Sequence, residues 1–206
     1  MSDKYLKFNS LSSAKKERVI NAALKEFSKN GFKKASTNVI TENANIAKGS
    51  LFTYFKSKKE LFIFLVDYMM DISNQIIHKI DLKQTELFQR LKETGIIKYN
   101  VMKRFPQGFD FLKSLEHENS DDVKPELEER KNEILNHGLN KMYENIDWSK
   151  FRDDINLEKS MNIIQWFMLS LSEQQISRLE SFKEIDNEIL SEWDDYFDIL
   201  KRCFYK

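Results

Sequence analysis

The 206-residue chain carries 33 basic and 33 acidic residues, so its formal net charge at neutral pH is zero. Five glycines and two prolines among many Lys, Glu, Leu and Ile residues favour long helices with short connections, and no stretch alternates as a strand would. The single cysteine excludes an intrachain disulfide framework, and the lack of an apolar leader or long apolar run predicts a cytoplasmic protein without a membrane segment.

The charge is distributed unevenly along the chain. Residues 1–60 hold 13 Lys and Arg against five Asp and Glu, a net +8, and residues 61–206 hold the compensating −8. A basic head on an acidic body is expected when one end of a protein binds a polyanion such as DNA. Ordinary solvated surface is the alternative interpretation.

The first elements are a basic arm and an amphipathic helix. We expect residues 1–10 to be loosely ordered. Ser12 or Ser13 can cap the helix that follows, in which apolar residues recur at three- and four-residue spacing; they are Val19, Ile20, Ala23, Leu24 and Phe27. Gly31 is expected to end the helix in a left-handed conformation, with Phe32 folding back onto the last turn.

Two short helices are predicted next, joined by a tight turn. The first begins at Ser36 or Thr37, either of which can cap it. Asn45, which tolerates a positive φ, lies in the turn, and the second helix spans about residues 48–55. This is helix-turn-helix geometry, in which the second helix enters the major groove of DNA and the first braces it.

The stretch around this turn resembles a known family. Residues 31–61 read GFKKASTNVITENANIAKGSLFTYFKSKKEL. The Gly-Phe helix end, the Thr-x-x-Ile element, the Lys-Gly-Ser-Leu-aromatic-x-Tyr-Phe helix and the Ser-Lys-x-Glu-Leu start of the next helix resemble the DNA-binding signature of TetR-type (TetR/AcrR) bacterial transcriptional regulators. The matched stretch is a small part of the chain.

The resemblance implies roles for the matched positions. The groove-facing set is Lys48, Ser50, Phe52 and Thr53, with Gly49 allowing close approach. The set expected at the DNA backbone is Thr37, Tyr54, Lys56 and Lys58, the last two beside the N-terminus of the fourth helix, whose dipole favours phosphate. The same resemblance implies that Ile40, Ile46, Leu51 and Phe55 are core residues.

Three positions depart from the family pattern. Asn45 stands where Gly is usual, and it can replace Gly at modest cost. Ala47 stands where Ser or Thr usually caps the recognition helix, a loss of about 1 kcal/mol of local helix stability. Phe52 replaces the usual Tyr and lacks its hydroxyl, so a thymine methyl contact could replace a polar one.

The remainder of the chain is predicted to be helical. Ser57 and Glu60 fit a capping box at the start of a fourth helix that ends near Ile80. Breaks follow near 81–84, Pro106, 119–122, 147–156 and 181–186, which gives about nine helices in all. The predicted fold is all-α, with a three-helix DNA-binding domain over residues 1–56 and a ligand-binding and dimerisation domain over residues 57–206.

Two further sets of residues are candidates within the second domain. Aromatic and Met residues could line an effector pocket, gated by a helix over 106–118; they are Tyr68, Tyr99, Met102, Phe105, Phe109, Phe111, Tyr143, Trp166 and Phe167. In the family that the chain resembles, the last two helices pair with their two-fold mates. The candidate interface residues are Met161, Ile164, Met168, Leu171, Ile189, Trp193, Phe197 and Leu200. Both sets could instead be plain monomer core.

These patterns predict a DNA-binding protein, and the resemblance implies a transcriptional regulator, acting as a repressor that binds a pseudo-palindromic operator as a homodimer and is released by an apolar or amphipathic small molecule. A helical interaction module with a basic surface for acidic protein or membrane is the alternative. We expect no enzyme activity, cofactor or metal, because the three histidines are far apart and no nucleotide-binding or nucleophile motif is present.

Overall fold

The computed structural model describes the backbone of residues 5–178 and 187–206, and the side chains of these residues except 131–140, 172, 175–178 and 187–190. It contains ten α-helices in the described ranges: α1 Leu6–Asn9, α2 Ser13–Lys34, α3 Thr37–Asn43, α4 Lys48–Tyr54, α5 Lys58–His78, α6 Leu87–Arg104, α7 Gly108–Ser114, α8 Lys124–Tyr143, α9 Leu157–Arg178 and α10 Asn187–Phe204. Short 3₁₀ turns cover Leu115–His117 and Trp148–Lys150. The all-α prediction is confirmed; α1 is the addition to the nine expected helices. The break predicted at 181–186 lies outside the described residues.

The chain forms two compact units. One comprises Met1–His78 with Asn100–Leu139, and the other comprises Lys79–Tyr99 with Asn140–Lys206. The three-helix head is therefore part of a larger packed unit, and the predicted domain boundary after residue 56 stays a prediction. None of the helices in the described part of the chain is long and apolar enough to cross a membrane.

The first unit has an aromatic core. Phe27, Phe62 and Phe111 are buried together, with ring centroids 5.0 Å apart between Phe27 and Phe62 and 5.5 Å apart between Phe62 and Phe111. The expectation of a loosely ordered basic arm is wrong for residues 5–10. Phe8 on α1 is buried, with its ring centroid 5.0 Å from that of Phe55 and 5.2 Å from that of Phe64, so it anchors α1 to the core. Basic residues surround Phe8 in the sequence, and they hide this apolar anchor from a reading of the sequence alone.

Helix α2 bends at Gly31. This residue has φ 65° and ψ 177°, a combination essentially restricted to glycine, and the helix resumes for one turn to Lys34. The predicted stop is therefore a kink, and Phe32 does pack back, stacking on Phe27 at 6.4 Å. The Ser12 hydroxyl accepts a hydrogen bond from the Lys15 N–H at 3.4 Å, as the predicted cap requires.

The second unit is built around α6, α9 and α10. Gly95 lets α6 approach the buried indole of Trp193, since a Cβ at residue 95 would lie 2.0 Å from its Cζ3 atom. At the start of α6, the Glu86 carboxylate accepts hydrogen bonds from the Phe88 N–H at 3.0 Å and from the Tyr205 hydroxyl at 2.6 Å. Burial alone raises the pKa of Glu86, but these and neighbouring donors outweigh it, and the pKa lies below its ordinary value.

Arg90 is a fully buried guanidinium in this unit, only 1% exposed. Its Nη1 donates to the backbone carbonyls of Met142, at 3.1 Å, and Glu144. Its Nη2 donates to the carbonyls of Leu82, at 3.4 Å, and Gln84. One side chain of α6 thus joins the end of α8 to the loop that precedes α6.

Candidate nucleic-acid interface

The segment between α3 and α4 is a tight turn. Asn45 adopts φ 52°, so the expectation that it takes a positive φ is confirmed. Its N–H donates to the Glu42 carbonyl at 3.0 Å, and the Ile46 N–H donates to the Thr41 carbonyl at 3.0 Å. Ala47 occupies the cap position of α4 and makes no side-chain cap bond, because its methyl group has no hydrogen-bond acceptor. The turn therefore holds the two short helices in a helix-turn-helix arrangement through backbone bonds.

Side chains of α2 fix both ends of α3. The predicted start is confirmed, since α3 begins at Thr37 with Ser36 at the cap position, but the Ser36 side chain makes no cap bond. Instead the buried Glu26 of α2 accepts the Ser36 N–H at 2.8 Å. At the other end, Arg18 Nε donates to the Ala44 carbonyl at 3.4 Å. Both partners belong to α2. The orientation of α3 and α4, which together we call the reading head, therefore follows that of α2.

Helix α4 divides into a buried side and an exposed side. Leu51 is buried, as are Ile40 on α3 and Phe55 after α4, and Ile46 packs against the same core, as expected. The exposed side consists of Lys48, Gly49, Phe52 and Thr53, which we call the reading face. A Cβ added to Gly49 would meet nothing within 4 Å, so no packing within the described chain requires a glycine there.

The remaining predicted DNA contacts flank this face. Ser50 and Tyr54 are half-buried, and the Tyr54 ring lies 6.1 Å from Phe8. Thr37 is half-buried at the start of α3, and Lys56 is exposed. All of these roles stay predictions.

Lys58 has partners within the chain. Its Nζ donates to the carbonyls of Lys33, at 3.2 Å, and Ala35, at 3.1 Å, and lies 4.8 Å from the centre of the Phe32 ring. Its ammonium group therefore stabilises the C-terminus of α2. The capping box beside it is partly formed: Glu60 N–H donates to the Ser57 hydroxyl at 3.1 Å, but the Glu60 carboxylate accepts from the N–H of residue 56.

Sequence reasoning missed two exposed lysines at the same end of the head. Lys33 and Lys34 are exposed in the last turn of α2, directly before α3. The adjacent basic pair just ahead of a helix start was the available signal, because cations concentrate where a head approaches phosphate.

The predicted pocket residues do not form one cluster within either unit. Phe105 and Phe111 are buried in the core of the first unit, where Tyr68 packs edge-on against Phe105 at 5.5 Å. Trp166 is 66% exposed and lies on the solvent side of α9 rather than in a cavity wall. The others are half-buried; they are Tyr99, Met102, Phe109, Tyr143 and Phe167. A cleft of about 330 Å³ between α5 and α8 has a different lining: Asp67, Met70, Asp71, Asn74, Glu129 and Arg130.

The predicted dimer stripe is mostly the core of the second unit. The buried members are Ile164, Leu171, Trp193, Phe197 and Leu200, with Met161 and Met168 half-buried against them. The Ile189 side chain lies outside the described residues. A different apolar set is exposed, which we call the outer face: Ile163, Trp166 and Leu169 on α9 and Ile199 on α10. These members of the predicted stripe are packed within the single chain, and their place in a dimer interface stays a prediction.

A two-helix reading head with an unobstructed, basic-flanked recognition helix defines a helix-turn-helix DNA-binding protein. Residues 19–64 match the family model of the bacterial regulatory proteins, tetR family. This match covers the reading head and the start of α5, so this part of the chain is similar to the DNA-binding domain of TetR-family regulators.

Individual proteins are similar to the chain over its head or over most of its length. The uncharacterized HTH-type transcriptional regulator YhgD of Bacillus subtilis (strain 168) is 38% identical over 48 residues, which are 23% of this chain and 25% of that protein. The biofilm operon icaADBC HTH-type negative transcriptional regulator IcaR of Staphylococcus aureus (strain Newman) is 23% identical over 181 residues, 85% of this chain and 95% of that protein. A solved TetR family transcriptional regulator from Chloroflexus aurantiacus J-10-FL has the same fold, with a TM-score of 0.62, 18% identity and 98% coverage of both chains.

Proposed function

We propose that the chain is a transcriptional repressor that binds a pseudo-palindromic operator in the cytoplasm as a homodimer and is released by a small-molecule effector. The observation that carries this proposal is the reading face, whose Gly49 has open space around it. A glycine in a helix destabilises it by about 0.5–1 kcal/mol relative to alanine. The packing of the described chain does not require a glycine at this position, whereas close approach of another molecule to the α4 backbone would.

The reading face enters the major groove in this proposal. Lys48, Phe52 and Thr53 meet base edges, and Gly49 lets the backbone approach. Ser50, half-buried beside this face, also faces the groove, and the DNA backbone is held by Thr37, Tyr54 and Lys56. Lys58 contributes its positive charge from a fixed position, because its Nζ already donates to two carbonyls.

Repression is supported by the similarity, over 85% of this chain, to a protein named as a negative transcriptional regulator. TetR-family regulators bind operator DNA as dimers and respond to small-molecule ligands. A dimer is also required geometrically, because two recognition helices must reach half-sites about one helical turn apart.

The outer face is the proposed dimer interface in place of the predicted stripe. Ile163, Trp166 and Leu169 recur at three-residue spacing on α9 and are exposed in the single chain, as is Ile199 on α10, and exposed apolar surface marks association sites. Trp166→Glu is expected to convert the dimer to a monomer in analytical ultracentrifugation. Asn100→Glu, which adds the same charge at an exposed position of α6, should leave the dimer intact. A dimeric Trp166→Glu variant would contradict this assignment.

Effector release is proposed to act through α7. Its Phe111 packs between α2 and α5, against Phe27 at 6.5 Å and Phe62 at 5.5 Å. After α7, the Glu118 carboxylate accepts the Phe32 N–H of α2 at 2.6 Å. Since α2 fixes both ends of α3, a ligand that displaces α7 would reorient the reading head, provided that ligand and DNA prefer different states.

Selection of bound sequences from random duplex DNA tests the proposal. The purified chain should enrich one pseudo-palindrome with a steep salt dependence. Lys48→Ala should abolish the enrichment, whereas Lys79→Ala, which removes the same charge from an exposed position outside the head, should preserve it. Salt-sensitive binding without sequence preference would instead favour the interaction module for acidic protein or membrane.

A further inference from the structure

The reading face offers few hydrogen-bonding groups to base edges. Gly49 has no side chain, and Phe52 has no polar atom and is 41% exposed. The Thr53 hydroxyl donates its single proton to the Gly49 carbonyl at 2.9 Å, which leaves its methyl group and an acceptor lone pair for the DNA. Lys48 is the one charged member of this four-residue face.

This composition restricts which bases α4 can distinguish. Guanine is read most specifically by Arg or Lys and adenine by Asn or Gln, and of these residue types the reading face contains Lys48 alone. Lys48 can donate to the acceptors of a guanine. The apolar group that the major groove presents is the 5-methyl group of thymine, and an exposed phenyl ring complements it.

We propose that Phe52, together with the Thr53 methyl group, recognises thymine through its 5-methyl group, so that Phe52 is a specificity-determining residue. This inference rests on the proposed DNA-binding function. It specifies the class of operator: each half-site carries thymine at one or two positions that face α4. Contact between the ring and a methyl group removes both from water without any hydrogen bond.

The size of the effect follows from the burial of one methyl group. Burial of one CH₂-sized group is equivalent to about a fourfold change in affinity. Replacing thymine by deoxyuridine removes that methyl group alone and preserves the Watson–Crick edge. The substitution therefore isolates the apolar contact from any hydrogen bond to the same base.

The experiment begins with the sequence enriched from random duplex DNA and replaces each thymine of a half-site singly by deoxyuridine. The unmodified chain should lose about fourfold in affinity at one or two positions. Phe52→Ala should bind more weakly overall and be indifferent to the replacement at those positions. Val39→Ala, which trims an exposed apolar residue on α3, is the matched control and should retain the full uracil effect. Thermal melting of each variant checks folding.

Three results would overturn the inference while leaving the proposed function intact: equal affinity for the thymine and uracil operators, an undiminished uracil effect in Phe52→Ala, or an enriched half-site without thymine. Failure of the folded chain to enrich any sequence would overturn the proposed function itself. The two failures are therefore distinguishable in one series of measurements.

Discussion

Substitution of Gly49 by alanine should have opposite effects on stability and on DNA binding. The added Cβ meets no atom within 4 Å, so it introduces no clash in the free protein. Alanine is favoured over glycine within a helix by about 0.5–1 kcal/mol. For a chain of this size, that free energy raises the melting temperature by about 1 to 4 °C. In the complex, the same methyl group stands between the α4 backbone and the groove, and the cost of such overpacking predicts a loss of affinity of about tenfold or more.

Two measurements on the same preparation check this prediction. Thermal unfolding without DNA gives the stability change, and fluorescence anisotropy with the enriched operator at fixed salt gives the affinity. A Gly49→Ala variant that melts at a lower temperature than the parent would show that the glycine serves the fold. Unchanged operator affinity would show that the α4 backbone does not approach DNA closely, and either result refutes the reasoning.

Three further predictions concern packing, coupling and pH. Gly95→Ala should lower the free energy of unfolding by about 1–3 kcal/mol in chemical denaturation, because its Cβ would lie 2.0 Å from Trp193 Cζ3; an unchanged midpoint would contradict the packing. Glu118→Ala should lose about 1–3 kcal/mol by leaving the Phe32 N–H unpaired, whereas Glu118→Gln keeps an acceptor and should lose less; equal losses would mean that this hydrogen bond is unimportant. Glu86 has a lowered pKa in the folded chain, so its contribution to stability is present above its unfolded pKa and is lost as the pH falls through the folded pKa. Thermal melts of Glu86→Gln at a series of acidic pH values should therefore show a weaker dependence of stability on pH. An unchanged dependence would mean that other groups cause it.

The reading head was predictable from sequence because its signals are local. Gly31 and Asn45 adopt the positive φ values that their residue types allow, and the bounds of α3 and α4 follow a short apolar period with a tight turn between. The departure at Ser36 is instructive. Glu26, ten residues earlier, supplies the bond that a local cap would otherwise supply, and no local pattern reports a partner brought by the tertiary fold.

The second part of the chain was predictable in helix count but not in the orientation of its faces. Both sides of α9 are apolar, so its pattern alone could not distinguish the buried side of Ile164 from the exposed side of Trp166. Which side of α9 is buried depends on where α10 packs, and that position is a property of the tertiary structure. The same limit explains why α1 was not predicted. Phe8 lies within a basic segment, and its role as a core residue depends on contacts with Phe55 and Phe64, which are distant in the sequence.

The burial of Arg90 has a consequence for how the second unit evolves and unfolds. Its guanidinium holds carbonyls from two segments about sixty residues apart, and the fork of five N–H donors makes this possible. Lysine keeps the charge but has only three donors around one nitrogen, so Arg90→Lys should leave some of these carbonyls without a donor. In native-state hydrogen exchange, the loop before α6 and the end of α8 should open as one cooperative block. If either segment opened alone, the buried guanidinium of Arg90 would lose half of its carbonyl partners.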